Sequence, residues 1–174
     1  MSDSEITLMS ALNFTAEDLS HNRAGELSEM QHYRLRVRRR RAEIIGALVV
    51  VLGVVIASLL IYLSRRSDSG ILYLIGIGLT ICCAAVTGAV VRFWLRLNAD
   101  INGRKVHINS GTLERVLKPI NRRVITYILR VDGAEVSVSK ETFRLFDHEK
   151  PYTLYRAPYS GTLLSAEPGL HQGH

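Results

Sequence analysis

Charge is absent from two long stretches of this 174-residue chain, and this absence decides its class. Ile44 to Leu63 and Ile71 to Val91 carry no charged side chain over twenty and twenty-one residues. A bilayer hydrocarbon core is about 30 Å thick, and crossing it takes about 20 apolar helical residues. The two runs therefore predict two transmembrane helices and an integral membrane protein. Neither run has an ionisable residue in its interior, which argues against a proton pathway, an ion channel or a transporter.

Cysteine is almost absent, and no catalytic motif is recognisable. Cys82 and Cys83 are adjacent in the second apolar run, so we expect neither a structural disulfide nor a cysteine metal cluster. The six histidines lack metal-ligand spacing, and weak metal binding by His171 and His174 is the lesser alternative to a disordered tail. No phosphate-binding glycine loop or nucleophile elbow is present. The sequence predicts a non-enzyme without cofactor or metal, with an enzyme at the membrane surface as the remote alternative.

Arginine is concentrated beside the two apolar runs. Six arginines lie in the ten residues before the first run, and only two basic residues lie between the runs, in the predicted loop 64–70. Because lysine and arginine collect on the cytoplasmic side, we expect a multi-pass hairpin in the cell inner (plasma) membrane with both termini cytoplasmic. We call the residues expected at the lipid headgroups the basic collar: Arg34, Arg36, Arg38, Arg39, Arg40, Arg41, Arg92, Trp94 and Arg96.

The basic collar has two compatible interpretations. It can set the orientation of the hairpin, or it can bind anionic lipid headgroups at about 1 kcal/mol per basic residue near the surface. In the second case Arg104, Lys105, Arg122 and Arg123 of the C-terminal region would add to the binding. Nucleic acid is not an expected partner, because the cluster adjoins the bilayer and Tyr33 is its only interleaved aromatic residue.

Small residues recur at every fourth position in the second apolar run. Such spacing lets two helix backbones approach closely in a membrane. Either the stripe packs the hairpin internally, or it supports self-association or docking onto another membrane subunit. The candidate packing residues are Gly76, Thr80, Ala84 and Gly88, with a shorter patch at Gly53 and Ala57 in the first run.

The chain before the first apolar run predicts a short helix and then a long one. Thr15 is typical of a helix cap, and Ser28 with Gln31 forms a second capping signature. No helix breaker follows, so one helix is predicted from about Glu29 to Leu63. The predicted divisions are an N-terminal cytoplasmic segment (1–28), a basic helix running into the transmembrane hairpin (29–97), a β domain (98–168) and a disordered tail (169–174).

Short alternating stretches after Asn98 predict an all-β domain. Asp132-Gly133 is a strong hairpin signal, and Asn109-Ser110-Gly111 reads as a second turn. Lys140–Phe146 predicts a single helical turn or a wide connection, with both phenylalanines buried. Closure into a small SH3-like or OB-like barrel would remove exposed edges. The predicted strands are Lys105–Ile108, Thr112–Leu117, Val124–Val131, Ala134–Ser139, Tyr152–Arg156 and Thr162–Ala166.

Two stretches resemble a family of uncharacterised bacterial membrane proteins. They are FTAEDLSHNRAGELSEMQ (Phe14–Gln31), with its Asn-Arg-x-Gly-x-Leu-Ser-x-x-Gln pattern, and YTLYRAPYSGTLLSAEP (Tyr152–Pro168). The resemblance implies a two-helix membrane hairpin with a C-terminal cytoplasmic small β domain, and it implies no activity. We therefore expect a non-enzymatic interaction protein, scaffold or accessory subunit, or alternatively an anionic-lipid-binding module.

Overall fold

The structure is a computed structural model that describes residues 3–121 and 124–169. This part of the chain divides into two compact units. The hairpin unit is Arg34–Ala99, and the β unit combines the residues up to Tyr33 with those from Asp100 onward. The elements in chain order are α1 (Asp3–Leu12), α2 (Ala16–Arg23), α3 (Glu29–Ser67), α4 (Gly70–Gly103), β1 (His107–Asn121), β2 (Val124–Val131), β3 (Ala134–Val138), α5 (Lys140–Arg144), β4 (Pro151–Arg156) and β5 (Leu163–Pro168).

Two helices, α3 and α4, are long and apolar enough to cross a membrane. Only 11% of the most apolar window of α3 and 6% of that of α4 is buried in the protein, unlike the core helices of a soluble domain. The predicted loop 64–70 is wrong in length, because only Asp68 and Ser69 separate the helices. Asp68 has a positive φ of 47°, and the Ser64 hydroxyl donates a hydrogen bond to the Ser69 carbonyl at 2.9 Å. These contacts let α3 continue four residues beyond the predicted end at Leu63.

The β unit contains one antiparallel five-stranded sheet in the order β3-β2-β1-β4-β5. Strand β1 is central because it pairs with β4 along its first part and with β2 along its second part. The expectation of a small β domain beside two apolar helices is confirmed at this level.

The predicted turn at Asn109-Ser110-Gly111 is wrong, because all three residues lie inside β1. Their side chains serve the pairing with β4. The Arg156 guanidinium donates to the Asn109 side-chain oxygen at 2.9 Å, and the hydroxyls of Ser110 and Thr153 are 3.0 Å apart. Pairing with a neighbouring strand therefore outweighs the local turn preference of these residues.

The second predicted hairpin is confirmed. Asp132 and Gly133 both have positive φ, at 49° and 71°, and Val131 pairs directly with Ala134. This is the backbone that a two-residue hairpin loop requires. The predicted helical turn is α5, capped by Ser139, and Phe143 and Phe146 are buried as expected.

The N-terminal segment completes the core of the β unit. Leu8 of α1 and Phe14 pack in the same buried cluster as Leu113, Leu129 and Phe146. Helix α1 was not predicted, although Leu8 and Leu12 have the spacing of one helix face. Residues 1–28 thus belong to the β unit rather than forming a separate segment.

Candidate functional site

The two long helices meet along a seam whose residues are spaced three or four positions apart. These spacings average close to the 3.6 residues per turn of an α-helix, so the seam follows one face of each helix. Every seam position is buried or half-buried, whereas most other residues of the apolar runs are exposed. The seam consists of Leu35, Arg39, Ala42, Gly46, Val50, Gly53, Ala57, Leu60 and Ser64 of α3, and of Leu72, Gly76, Leu79, Cys83, Thr87, Val90, Trp94 and Leu97 of α4.

Glycines in the seam allow the close approach of the helices. A Cβ at Gly76 would lie 2.7 Å from the Ile61 Cγ1, and it would lie 3.4 Å from the Ala57 carbonyl oxygen. A Cβ at Gly53 would overlap the Cys83 sulfur. The structure therefore places Gly53, Ala57 and Gly76 at contacts within the hairpin.

The other three candidate packing residues lie outside the seam. Four residues of helix turn through about 400°, so each step of four drifts about 40° away from the starting face. After Gly76 the stripe rotates outward, and Thr80, Ala84 and Gly88 are exposed. A Cβ at Gly88 would meet nothing within 4 Å. We call Thr80, Ala84 and Gly88 the outer stripe.

The basic collar divides into exposed and inward-facing members. Arg39 is half-buried, and it donates to the Asn98 side-chain oxygen at 2.8 Å while its Nε lies 3.3 Å from Glu43. The Trp94 indole N–H donates to the same Glu43 carboxylate. Arg39 and Trp94 therefore link α3 to α4. The exposed members are Arg36, Arg38, Arg40, Arg41, Arg92 and Arg96, and Arg34 is half-buried.

Two apolar grooves flank the seam at its basic end. They share Ala42, Gly46 and Val90, and they open because these positions carry small or short side chains. The first groove is about 450 Å³ and includes Glu43 and Trp94. The second groove is about 380 Å³, and its walls include Ala42, Ile45, Gly46, Val49, Ala89 and Phe93.

In the β unit, a buried polar cluster joins α2 to β5. The Asn22 side-chain amide donates to the Ser165 hydroxyl at 2.6 Å, and both residues are fully buried. Next to this bond, the guanidinium of Arg23 binds Glu167, which lies two residues after Ser165. The Tyr155 hydroxyl donates to the same carboxylate at 2.5 Å. These contacts hold the N-terminal helices on the last strand.

The turn between α2 and α3 extends this polar cluster. The Ser28 hydroxyl caps α3 by accepting the Gln31 amide N–H at 3.1 Å, and it donates to the buried Asp18 carboxylate. The Gly25 carbonyl accepts the Val106 N–H at 2.9 Å. Both predicted capping signatures are confirmed, since Thr15 caps α2 in the same way. The bonds from Asn22 to Ser165 and from Arg23 to Glu167 bring the segment Phe14–Gln31 into contact with Tyr152–Pro168.

Asp100 is a buried carboxylate that the sequence analysis did not single out. It accepts the backbone N–H groups of Tyr159 and Ser160, each at 2.8 Å, and is 1% exposed. Asp100 thereby fixes the turn between β4 and β5. A lone aspartate near a helix end gave no sequence signal for this long-range role.

Stability of the β unit should fall in acid because of Glu167. Burial alone would raise the pKa of Glu167, but the hydrogen bonds and charge supplied by Arg23 and the Tyr155 hydroxyl lower it below the ordinary 4.5. A lowered folded-state pKa gives stability that is complete above the ordinary value and is lost as pH falls through the folded value. The stability difference between wild type and Glu167→Gln should therefore be present at pH 7 and shrink below about pH 4.5. Glu17→Gln, on the exposed face of α2, is the control, and a pH-independent difference would contradict the prediction.

No group of three or more His, Cys, Asp or Glu side chains that could hold a metal lies within residues 3–121 and 124–169. His171, His174, Arg122 and Arg123 fall outside these ranges. Comparison with known protein families, curated proteins and solved structures found no match for this chain.

Proposed function

We propose that this protein is a non-enzymatic membrane scaffold or accessory subunit that presents its small β domain to a protein partner. In this proposal the hairpin lies in the cell inner membrane, both termini are cytoplasmic, and the β domain belongs to the SH3-like or OB-like class. The chain would then be a member of the two-helix bacterial family that its motifs resemble. Partner binding would use the outer stripe in the membrane and the β unit outside it.

The outer stripe is the observation that carries the proposal. The seam satisfies the packing of the hairpin without using Thr80, Ala84 or Gly88. Helix association in lipid has no hydrophobic driving force and depends on close packing, which small residues permit. A small-residue face that is left over after the hairpin forms is therefore suited to a further helix, from a second copy or from another subunit.

The β unit is built from both ends of the chain, which supports a hairpin whose two ends lie on the same side of the membrane. The buried bond between Asn22 and Ser165 joins residues on either side of the two apolar helices. If these helices cross the bilayer twice, the two chain ends return to the same compartment and can meet. A single crossing would separate Asn22 from Ser165.

Crosslinking in intact cells tests the outer stripe. The full chain carries Ala84→Cys with Cys82→Ala and Cys83→Ala, and oxidation should give a crosslinked species larger than the protein. Adding Gly88→Leu should reduce this species by about tenfold, because overpacking a close contact costs about 1–3 kcal/mol. The yield is measured on non-reducing gels.

Gly78→Leu is the matched control. Gly78 is also an exposed glycine of α4, and a Cβ there would meet nothing within 4 Å, but it lies off the outer stripe. Gly78→Leu should leave the crosslinked species unchanged. An equal loss in both variants, or no crosslinked species at all, would contradict the proposed use of the outer stripe.

Anionic-lipid binding is the second candidate function. It is favoured by the exposed arginines of the basic collar, which α3 and α4 contribute at the same end of the hairpin. Lipid binding and partner binding use different faces of the hairpin and are separable by experiment.

A further inference from the structure

We propose that the second groove binds one acyl chain of an anionic phospholipid, whose phosphate is held by Arg41 and Arg96. This inference deepens the second candidate function and is independent of the outer stripe. It identifies the ligand as a single lipid at a defined position, beyond the general attraction of a basic surface to anionic membranes.

The second groove has the chemistry of an acyl-chain site. Its walls carry no polar or charged side chain. Ala42, Gly46 and Ala89 leave space where larger residues would fill it, and Phe93 forms an aromatic wall. From Ala42 to Val49 the helix rises about 10 Å, which is about a third of the hydrocarbon thickness. The groove can therefore hold the part of an acyl chain that lies nearest the headgroup.

Arginines from both helices stand at the headgroup end of this groove. Arg41 lies one helical turn before Ile45, and Arg96 lies three residues after Phe93, so each is a same-face neighbour of a groove residue. Both are exposed, and neither forms an ion pair in the part of the chain that the structure describes. Arginine is suited to phosphate because its guanidinium presents several donors in a planar fork.

The first groove differs from the second because its wall contains a carboxylate, that of Glu43. Glu43 pairs with Arg39 and accepts the Trp94 N–H, so these two donors are already engaged. Basic pockets between transmembrane helices on the cytoplasmic side are a recurrent setting for anionic lipid headgroups. The second groove, with its apolar wall and two neighbouring arginines, is therefore the better suited of the two to an anionic lipid.

Native mass spectrometry of the full-length protein tests the site. The protein is mixed with equal amounts of phosphatidylglycerol and phosphatidylcholine that carry the same acyl chains. We expect one phosphatidylglycerol to be retained with a preference of about tenfold or more, because two basic residues act on its charge. Equal retention of the two lipids would overturn the proposal, and so would a second copy of the chain in place of the lipid.

Variants separate the groove from the charge. Ala89→Phe fills the groove and should remove the bound lipid, whereas Ala85→Phe, an exposed alanine of the same helix outside the groove, should retain it. Arg41→Gln with Arg96→Gln should leave lipid bound but abolish the preference for phosphatidylglycerol. Arg65→Gln with Arg66→Gln, at the opposite end of the hairpin, should leave the preference intact. Unchanged binding in Ala89→Phe, or an unchanged preference after Arg41→Gln with Arg96→Gln, would overturn the proposal.

The outcome of the lipid test does not depend on the outcome of the crosslinking test. Absence of the crosslink in the Ala84→Cys chain with a retained lipid preference would remove the partner proposal and leave the lipid site standing. The reverse result would remove only the lipid site.

Discussion

Replacing Gly53 by cysteine is expected to create a disulfide with Cys83 across the seam. A Cβ built at Gly53 lies 3.9 Å from the Cys83 Cβ, and disulfides usually have Cβ atoms about 3.5–4.5 Å apart. The full chain would carry Gly53→Cys with Cys82→Ala and be exposed to a mild oxidant. We expect nearly complete crosslinking, measured as protection from thiol alkylation and a mass loss of two hydrogens.

The adjacent cysteine supplies the control. Cys82 is exposed, whereas Cys83 is half-buried in the seam. A chain with Gly53→Cys and Cys83→Ala keeps Cys82 and should not form the internal disulfide. Crosslinking to Cys82 instead of Cys83 would show that α4 is rotated about its axis relative to the seam, and the assignment of the outer stripe would then be wrong.

Replacing Asp100 by alanine is expected to destabilise the β unit by about 3 kcal/mol or more. The substitution removes two hydrogen bonds to a charged acceptor, and each such bond contributes about 1.5–3 kcal/mol. The amide protons of Tyr159 and Ser160 are the direct probes, because both donate to the Asp100 carboxylate. Their hydrogen exchange in the full-length protein should accelerate by more than tenfold, which corresponds to about 1.4 kcal/mol.

Asp147→Ala is the control for Asp100→Ala. Asp147 pairs with Lys150 at 2.7 Å, but both side chains are exposed. Exposed ion pairs contribute about 0–1 kcal/mol, so this variant should exchange like the wild type. Equal effects of the two substitutions would show that the turn does not depend on the Asp100 carboxylate.

Features that depend on neighbouring residues could be predicted from the sequence. The caps at Thr15 and Ser28 and the loop at Asp132-Gly133 each follow from a few consecutive side chains. The two helices long and apolar enough to cross a membrane follow from composition over about 20 residues. These signals do not depend on the rest of the fold.

Features that depend on distant partners could not be predicted in this way. Asn109-Ser110-Gly111 has turn chemistry, but its residues are held in a strand by β4, which lies far along the chain. Helix α1 buries Leu8 only against a core that other elements supply. A single sequence gives no measure of these contacts.

The candidate packing residues were only partly separable by sequence. A spacing of four placed Gly76 and Gly88 on one stripe, although helix geometry rotates them onto different faces. The seam mixes spacings of three and four, which keeps it on one helix face, whereas an unbroken run of fours does not stay on that face. The pairing of Arg39, Glu43 and Trp94 across two helices had no local signature.

The bond between Asn22 and Ser165 also constrains the order of events during biosynthesis. These residues are 143 positions apart, which at about 5–20 residues per second is roughly 7 to 30 seconds of translation. Until strand β5 leaves the ribosome, helix α2 lacks the partners of both Asn22 and Arg23. Under the proposed topology, a chain that failed to insert its second apolar segment would leave its two ends in different compartments, and both parts of the β unit would remain open to proteases.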